Sequence, residues 1–234
     1  MKHTTKLITR PYASPKTIKS LYYGFANFIM YLAPWKISGF NSCAAATTGC
    51  IKSCLYKAGR GRFNNVQKAR INRTRFFYRE RGAFLDKLHH EIKLNINWAI
   101  KRDLIPVFRL NGTSDIRWEL YGIFEQYPDI TFYDYTKIIN RKNLPNNYHL
   151  TFSRAESNQD NVLKAIDRGL NVAAVFSGEL PKTYLGRKVI NGDKHDLRFL
   201  DPDNIIVGLS AKGPAKKDTS GFVIHNAAQM QLAA

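Results

Sequence analysis

Acidic side chains are nearly missing from the first half of this chain. Residues 1–102 hold only Glu80, Asp86 and Glu91 against 20 Lys and Arg, a net charge of +17. Residues 103–234 hold 16 basic and 15 acidic side chains, a net of +1. A field this lopsided costs self-repulsion in the folded state. The basic half is therefore expected to meet a polyanion, with nucleic acid ahead of an anionic membrane. Long apolar runs are missing too. The most apolar stretch, "LYYGFANFIMYLAPW" (21–35), has 15 residues and is interrupted by Gly24, Asn27 and Pro34. A bilayer crossing needs ~20, so this stretch is expected to be a buried helix and no membrane partner is expected. The N-terminus "MKHTTKLITRPYASPK" lacks the apolar core and small-residue cleavage site of a secretory signal. Internal repeats and low-complexity tracts are absent. Cysteine is missing everywhere except Cys43, Cys50 and Cys54. An odd number of thiols at short separations excludes a disulfide framework and points to a reducing, cytoplasmic compartment.

What is present suffices for a real core: 44% hydrophobic residues, with 14 Phe and 12 Tyr. The 234 residues fit a single α/β domain. Ser14-Pro15 reads as a helix cap followed by proline at the first helical position, opening a helix that runs to about Leu32. Residues 36–63 read as a loop. Residues 64–79 and 83–101 read as two helices broken at Gly82, the second with Phe84, Leu88, Ile92, Ile96 and Ile100 on one stripe. Beyond residue 102 the rhythm changes. Strands are expected at 105–110, 130–138, 148–154, 171–177, "KVI" and 204–210. Helices are expected at "IRWELYGIFEQYP" and 159–170. Strand–helix–strand at this spacing implies a parallel sheet. The expected fold is thus α/β: a partial (β/α) barrel or an open parallel sheet of five to six strands, with an α-helical basic N-terminal region (1–102) and βα units in 103–234. Such sheets bind ligands at the C-terminal ends of their strands.

The cysteine window, "NSCAAATTGCIKSCLYKAGRGR" (41–62), places six residues between Cys43 and Cys50 and three between Cys50 and Cys54. Thiolates are soft ligands for iron or zinc. Three on one loop can hold three corners of a 4Fe-4S cluster and leave the fourth iron open. That arrangement is similar to the radical S-adenosylmethionine enzymes, where the open iron takes the cofactor's amino and carboxylate ends. Their usual spacing is three residues and then two, from which this chain departs. Two other readings stay open: a zinc site needing a fourth ligand such as His195 or Asp115, and buried thiols without metal.

Polar residues gather at the expected strand ends. Arg109, Asn111, Gly112, Ser114 and Asp115, with Thr113, follow the 105–110 strand. Asp134 and Lys137 close the next, and Ser153, Arg154, Glu156 and Asn158 the one after. If S-adenosylmethionine binds, 111–115 lies where its amino end needs acceptors, and Glu156 or Asn158 could take ribose hydroxyls. The bland reading of each is turn and cap chemistry. Asp193, His195 and Asp196 in "GDKHDLRF" read as a tight turn ahead of an acid/base or metal group. Arg60, Arg62, Lys68, Arg70, Arg73 and Arg75, interleaved with Phe76, Phe77 and Tyr78, form the candidate nucleic-acid surface, where cations attract phosphates and exposed rings stack on bases. Lys16 and Lys19 could join it. Nothing singles out a catalytic residue.

The linked words "NSCAAATTGCIKSCLYKAGRG", "FRLNGTSDIRWE", "FYDYTK", "YHLTFSRAESN", "NVAAVF", "NGDKHDLRFLDP" and "IVGLSAKGPAKKDTSGFV" resemble the gene product eighty-eight-like family of phage- and plasmid-encoded proteins, over residues 16–223. The resemblance implies the cysteine loop and a barrel-like parallel sheet, without an assigned reaction. Relatives often carry proline where this chain has Ala44, and some have further cysteines near the C-terminus. The functional expectation is a phage-type iron–sulfur protein of the host cytoplasm, a radical S-adenosylmethionine-like enzyme acting on nucleic acid or nucleotide. The alternative is a non-enzymatic nucleic-acid-binding protein, a replication or host-takeover factor, with a structural metal. A third reading is a relic of the fold without metal.

Overall fold

A computed structural model of the chain describes residues 6–13 and 15–225. Ten strands form one mostly parallel sheet: β1 (Ile8–Thr9), β2 (Phe25–Met30), β3 (Ile105–Arg109), β4 (Thr131–Thr136), β5 (Tyr148–Ser153), β6 (Val172–Phe176), β7 (Thr183–Tyr184), β8 (Arg187–Asn191), β9 (Ile206–Ser210) and β10 (Val223–Ile224). The path is β1-β2-β3-β4-β5-β6-β9-β8-β7, with β10 paired to β6. From β2 to β6 the strands lie in chain order, and every pair from β2 through β9 to β8 is parallel. The sheet is open, ending at β1 and β7, so no barrel closes. The count exceeds the five to six expected because three strands are two residues long, too short to leave a periodic signal, and because β2 lies in a stretch expected to be helical.

The largest correction concerns 21–35. The helix α1 (Pro15–Leu21) stops at a turn in which Gly24, at φ 78, donates to the Leu21 carbonyl. Ser14, the expected cap, lies outside the described residues. The apolar run then becomes β2, with Ala26 through Met30 all buried. A parallel strand covered on both faces reads as a continuous apolar run, which periodicity cannot tell from a buried helix. "IRWELYGIFEQYP" is likewise two 3₁₀ turns, Trp118–Tyr121 and Phe124–Gln126, not one helix. Inside the loop 36–63 a short helix α2 (Thr48–Lys52) carries Cys50. The helices α3 (Asn64–Arg79) and α4 (Arg81–Ile100) break at Glu80 rather than Gly82, and Ile100 is 60% exposed. The last helix is α5 (Gln159–Asp167).

Alternation along the strands gives the sheet two faces. Phe28, Phe108, Phe132 and Met30 pack against α3 and α4 through Phe76, Phe77, Phe84, Leu88 and Ile92. Phe152, Val172, Ala174, Phe176 and Ile206 pack against Val162 and Ala165 of α5. The opposite face carries Val107 and Tyr133, covered by Leu197 and Phe199, then Ala173, Val207, Tyr135 and Leu209. The segment after β8 thus crosses this second face before β9. No helix among the described residues is long and apolar enough to cross a membrane.

Candidate functional site

Above that crossing segment, at the C-terminal ends of the parallel strands, lies a cavity of about 390 Å³. Arg109, Tyr135, Ser153, Ala173, Val175 and Leu209 line it from the strands. Cys43, Cys50 and Cys54 line it from the loop that follows β2. Ligands of parallel sheets bind at this end.

The cysteine loop is tied down at several points. The Ser42 hydroxyl donates to the Ala33 carbonyl at 2.6 Å, and Asp115 N donates to the Ser42 carbonyl at 2.8 Å. Thr47 caps α2, its hydroxyl accepting from Cys50 N at 3.2 Å. Glu156, arriving just after the central strand β5, accepts from the Thr47 hydroxyl at 2.7 Å and from Gly49 N at 2.6 Å. A Cβ on Gly49 would meet Ser220 Oγ at 2.2 Å and the Glu156 carboxyl at 2.8 Å, so this close approach requires glycine. Replacing Glu156 with alanine is expected to speed alkylation of Cys50 by iodoacetamide about tenfold, since a carboxylate accepting two hydrogen bonds contributes roughly 1.5 kcal/mol of local stability. The global melting transition should move far less, and Glu156→Gln should restore part of the protection.

The three thiols are half-buried and unbridged. Burial pushes Cys43 up to about 11 and raises Cys54, and the thiols feel one another: Cys54 acts on Cys43, and Cys50 on Cys54. Lys137 stands beside Cys50. Burial alone would lower this ammonium, but Cys50 and Asp115 outweigh it and raise it. Among the described residues no group of three or more His, Cys, Asp or Glu is arranged to hold one metal ion. His195, named above as a fourth zinc ligand, instead packs edge-on against Tyr23, ring centroids 4.9 Å apart. Cys43, Cys50 and Cys54 share the cavity lining, and thiolates are soft ligands of the kind that iron and zinc take.

Eight of the eleven expected cofactor residues line this cavity: Arg109, Asn111, Gly112, Ser114, Asp115, Lys137, Ser153 and Arg154. Most also have structural partners. Arg109 pairs with Asp196 at 2.8 Å. The Asn111 amide donates to the Ile116 carbonyl and to Asp134, and its oxygen accepts from Ser114 Oγ, Ile116 N and Trp118 Nε1. Gly112 brings β3's end against β2, donating to the Met30 carbonyl at 2.9 Å. Asp115 accepts from Lys137 N and the Thr136 hydroxyl, yet burial still raises its carboxyl. Arg154 donates to the Gly221 and Phe222 carbonyls. The remaining three lie off the cavity. Asp134 sits beneath the β3 turn, where burial pushes it up to about 7 against donors from Asn111 and Tyr148. Glu156 anchors α2, and Asn158 closes its own turn by accepting from Ala155 N and donating to the Ser153 carbonyl. Asp193, His195 and Asp196 do not converge: Asp193 pairs with Lys212 and Asp196 with Arg109.

A family model described as Gene product 88 matches residues 2–226. The chain belongs to this phage-type family. No curated protein and no solved structure matches it.

In this Gene product 88 member the six expected nucleic-acid residues divide. Arg60, Arg62, Lys68 and Arg75 are exposed, while Arg70 is 7% exposed. Arg70 lies between the rings of Tyr31, 4.7 Å away, and Tyr56, 5.5 Å away, behind the cysteine loop. Arg73 donates to the Lys6 and Tyr31 carbonyls, and Arg75 to that of Ser38. Lys19 donates to the Asp193 carbonyl, and the Lys16 side chain is outside what is described. Phe76 and Phe77 are core. The sequence reading missed a second basic group. The turn after β9, "AKGPAKK", packs against the cysteine loop, where a Cβ on Gly213 would lie 2.7 Å from Ala58 Cβ. It brings exposed Lys212, Lys216 and Lys217 to exposed Lys57. The signal was the lysine-rich turn at the end of a parallel strand.

Proposed function

We propose that this protein is an iron–sulfur protein of the host cytoplasm, similar to radical S-adenosylmethionine enzymes, acting on nucleic acid or nucleotide. The observation that carries the reading is the convergence of Cys43, Cys50 and Cys54 on one cavity at the C-terminal end of a parallel sheet, in the loop after its first parallel strand. Cys43, Cys50 and Cys54 would hold a 4Fe-4S cluster with one iron open. Such a group would supply one electron to the sulfonium of S-adenosylmethionine, with a carbon–sulfur bond breaking to leave methionine and an adenosyl radical. The chain's own residues supply the setting. The Lys137 ammonium beside Cys50 would offset the negative charge of a thiolate-ligated group. Asp115 offers an acceptor on the cavity wall for an ammonium. Ser114, Ser153 and Arg154 offer hydroxyl and guanidinium contacts, and Glu156 fixes the loop. The apolar wall of Ala173, Val175 and Leu209 excludes water. The basic rim supports a polyanionic substrate.

The alternative, a non-enzymatic nucleic-acid-binding protein with a structural zinc, shares the rim but needs ligands gathered about one ion. Protein purified without oxygen, or reconstituted with iron and sulfide, is expected to be brown and to carry about four irons per chain. The triple variant Cys43→Ser, Cys50→Ser, Cys54→Ser should carry none. Colourless protein with one zinc would support the alternative.

A further inference from the structure

We propose that Trp35 is a stacking platform for an unpaired base of a single-stranded nucleic acid at the cavity entrance. This deepens the nucleic-acid part of the reading above and rests on it. Trp35 lines the cavity yet is 36% exposed. Its backbone lies at φ 47, the left-handed region, which is costly for a bulky residue and is retained where surrounding structure enforces it. The enforcing structure is a tight turn in which Ile37 N donates to the Pro34 carbonyl, Gly39 N to the Lys36 carbonyl and Ser42 N to the Trp35 carbonyl. The turn thus holds a half-exposed indole at the cavity lining in a conformation its own backbone disfavours, and such strain is a pointer to a functional role.

The surroundings specify which ligand. The Lys36 ammonium lies over one face of the indole, 5.8 Å from its centroid. Exposed Lys57 is on the cavity lining, as is exposed Lys212, which pairs with Asp193. Cations around a half-exposed aromatic ring are the combination that tracks a phosphate backbone while a base stacks, here on the indole face that Lys36 leaves uncovered. A duplex keeps its base faces covered, so an unpaired or extruded base is required. The indole and Cys43 line the same cavity of about 390 Å³, so a base stacked on Trp35 would share it with the cysteine loop.

The test uses metal-free full-length protein and a fluorescein-labelled oligodeoxythymidylate read by anisotropy, so it does not depend on the cluster. Trp35→Ala should weaken binding about tenfold to a hundredfold, the range for loss of one stacked base. Trp35→Phe should stay within about threefold, because a phenyl ring still stacks. Wild-type indole fluorescence should be quenched on binding, and that quench should vanish in Trp35→Phe even if the alanine variant fails to fold. The same sequence as a duplex should bind more weakly. Wild-type affinity in Trp35→Ala, or an unchanged quench in Trp35→Phe, with salt-dependent binding intact, would overturn the platform and leave the nucleic-acid reading standing. Absence of salt-dependent binding in the wild type would overturn both.

Discussion

Replacing Asp196 with alanine is expected to cost about 3–5 kcal/mol of folding stability, the range for stranding one partner of a buried ion pair. Asp196 is 0% exposed. It accepts from Arg109 NH1 at 2.8 Å and from the Tyr133 hydroxyl at 3.3 Å, and so joins the segment crossing the second face of the sheet to β3 and β4. Without it, the largely buried Arg109 guanidinium remains on the cavity wall over the Tyr135 ring, 4.7 Å from its centroid, and loses its ion-pair partner. Pairing Asp196→Leu with Arg109→Met should recover most of the loss, because matched apolar replacement removes the desolvation cost from both sides. Urea denaturation of the wild type, the single variant and the double variant measures both effects. A single variant within about 1 kcal/mol of wild type would mean that the pair is solvated.

The second large effect is expected at Asn111. Its side chain makes five hydrogen bonds with four residues around one turn, among them Trp118 and Asp134. Asn111→Ala leaves several buried polar groups unpaired, at roughly 1–3 kcal/mol each before relaxation, so a loss of about 3–5 kcal/mol is expected. Thermal melting reads this loss without any ligand. A residue used mainly to grip a cofactor would leave the melting of metal-free protein unchanged.

These two residues illustrate what a sequence can and cannot say here. Arg109 and Asn111 were legible as polar residues at a strand end, and they do line the cavity. Their buried partners, Asp196 and Ile116, were not legible, because strand-end polarity looks alike whether a side chain serves the turn or a ligand. The apolar stripe Phe84, Leu88 and Ile92 was readable because an exposed helix face contrasts with a buried one. β2 was misread because both its faces are covered. The cysteine window was legible as a unit, since short loops keep neighbours together. Its roof was not: Glu156 and Lys212 reach it only through the parallel topology. Arg70 looked like its exposed neighbours in a basic helix, and only tertiary packing distinguishes it, between Tyr31 and Tyr56.

The most direct measurement is electron paramagnetic resonance of dithionite-reduced, oxygen-free protein before and after addition of S-adenosylmethionine. Three thiols and one open iron predict an iron–sulfur signal whose g values move when the small molecule occupies the open position. A signal indifferent to S-adenosylmethionine, or reduced protein with no iron-based signal at all, would contradict the account.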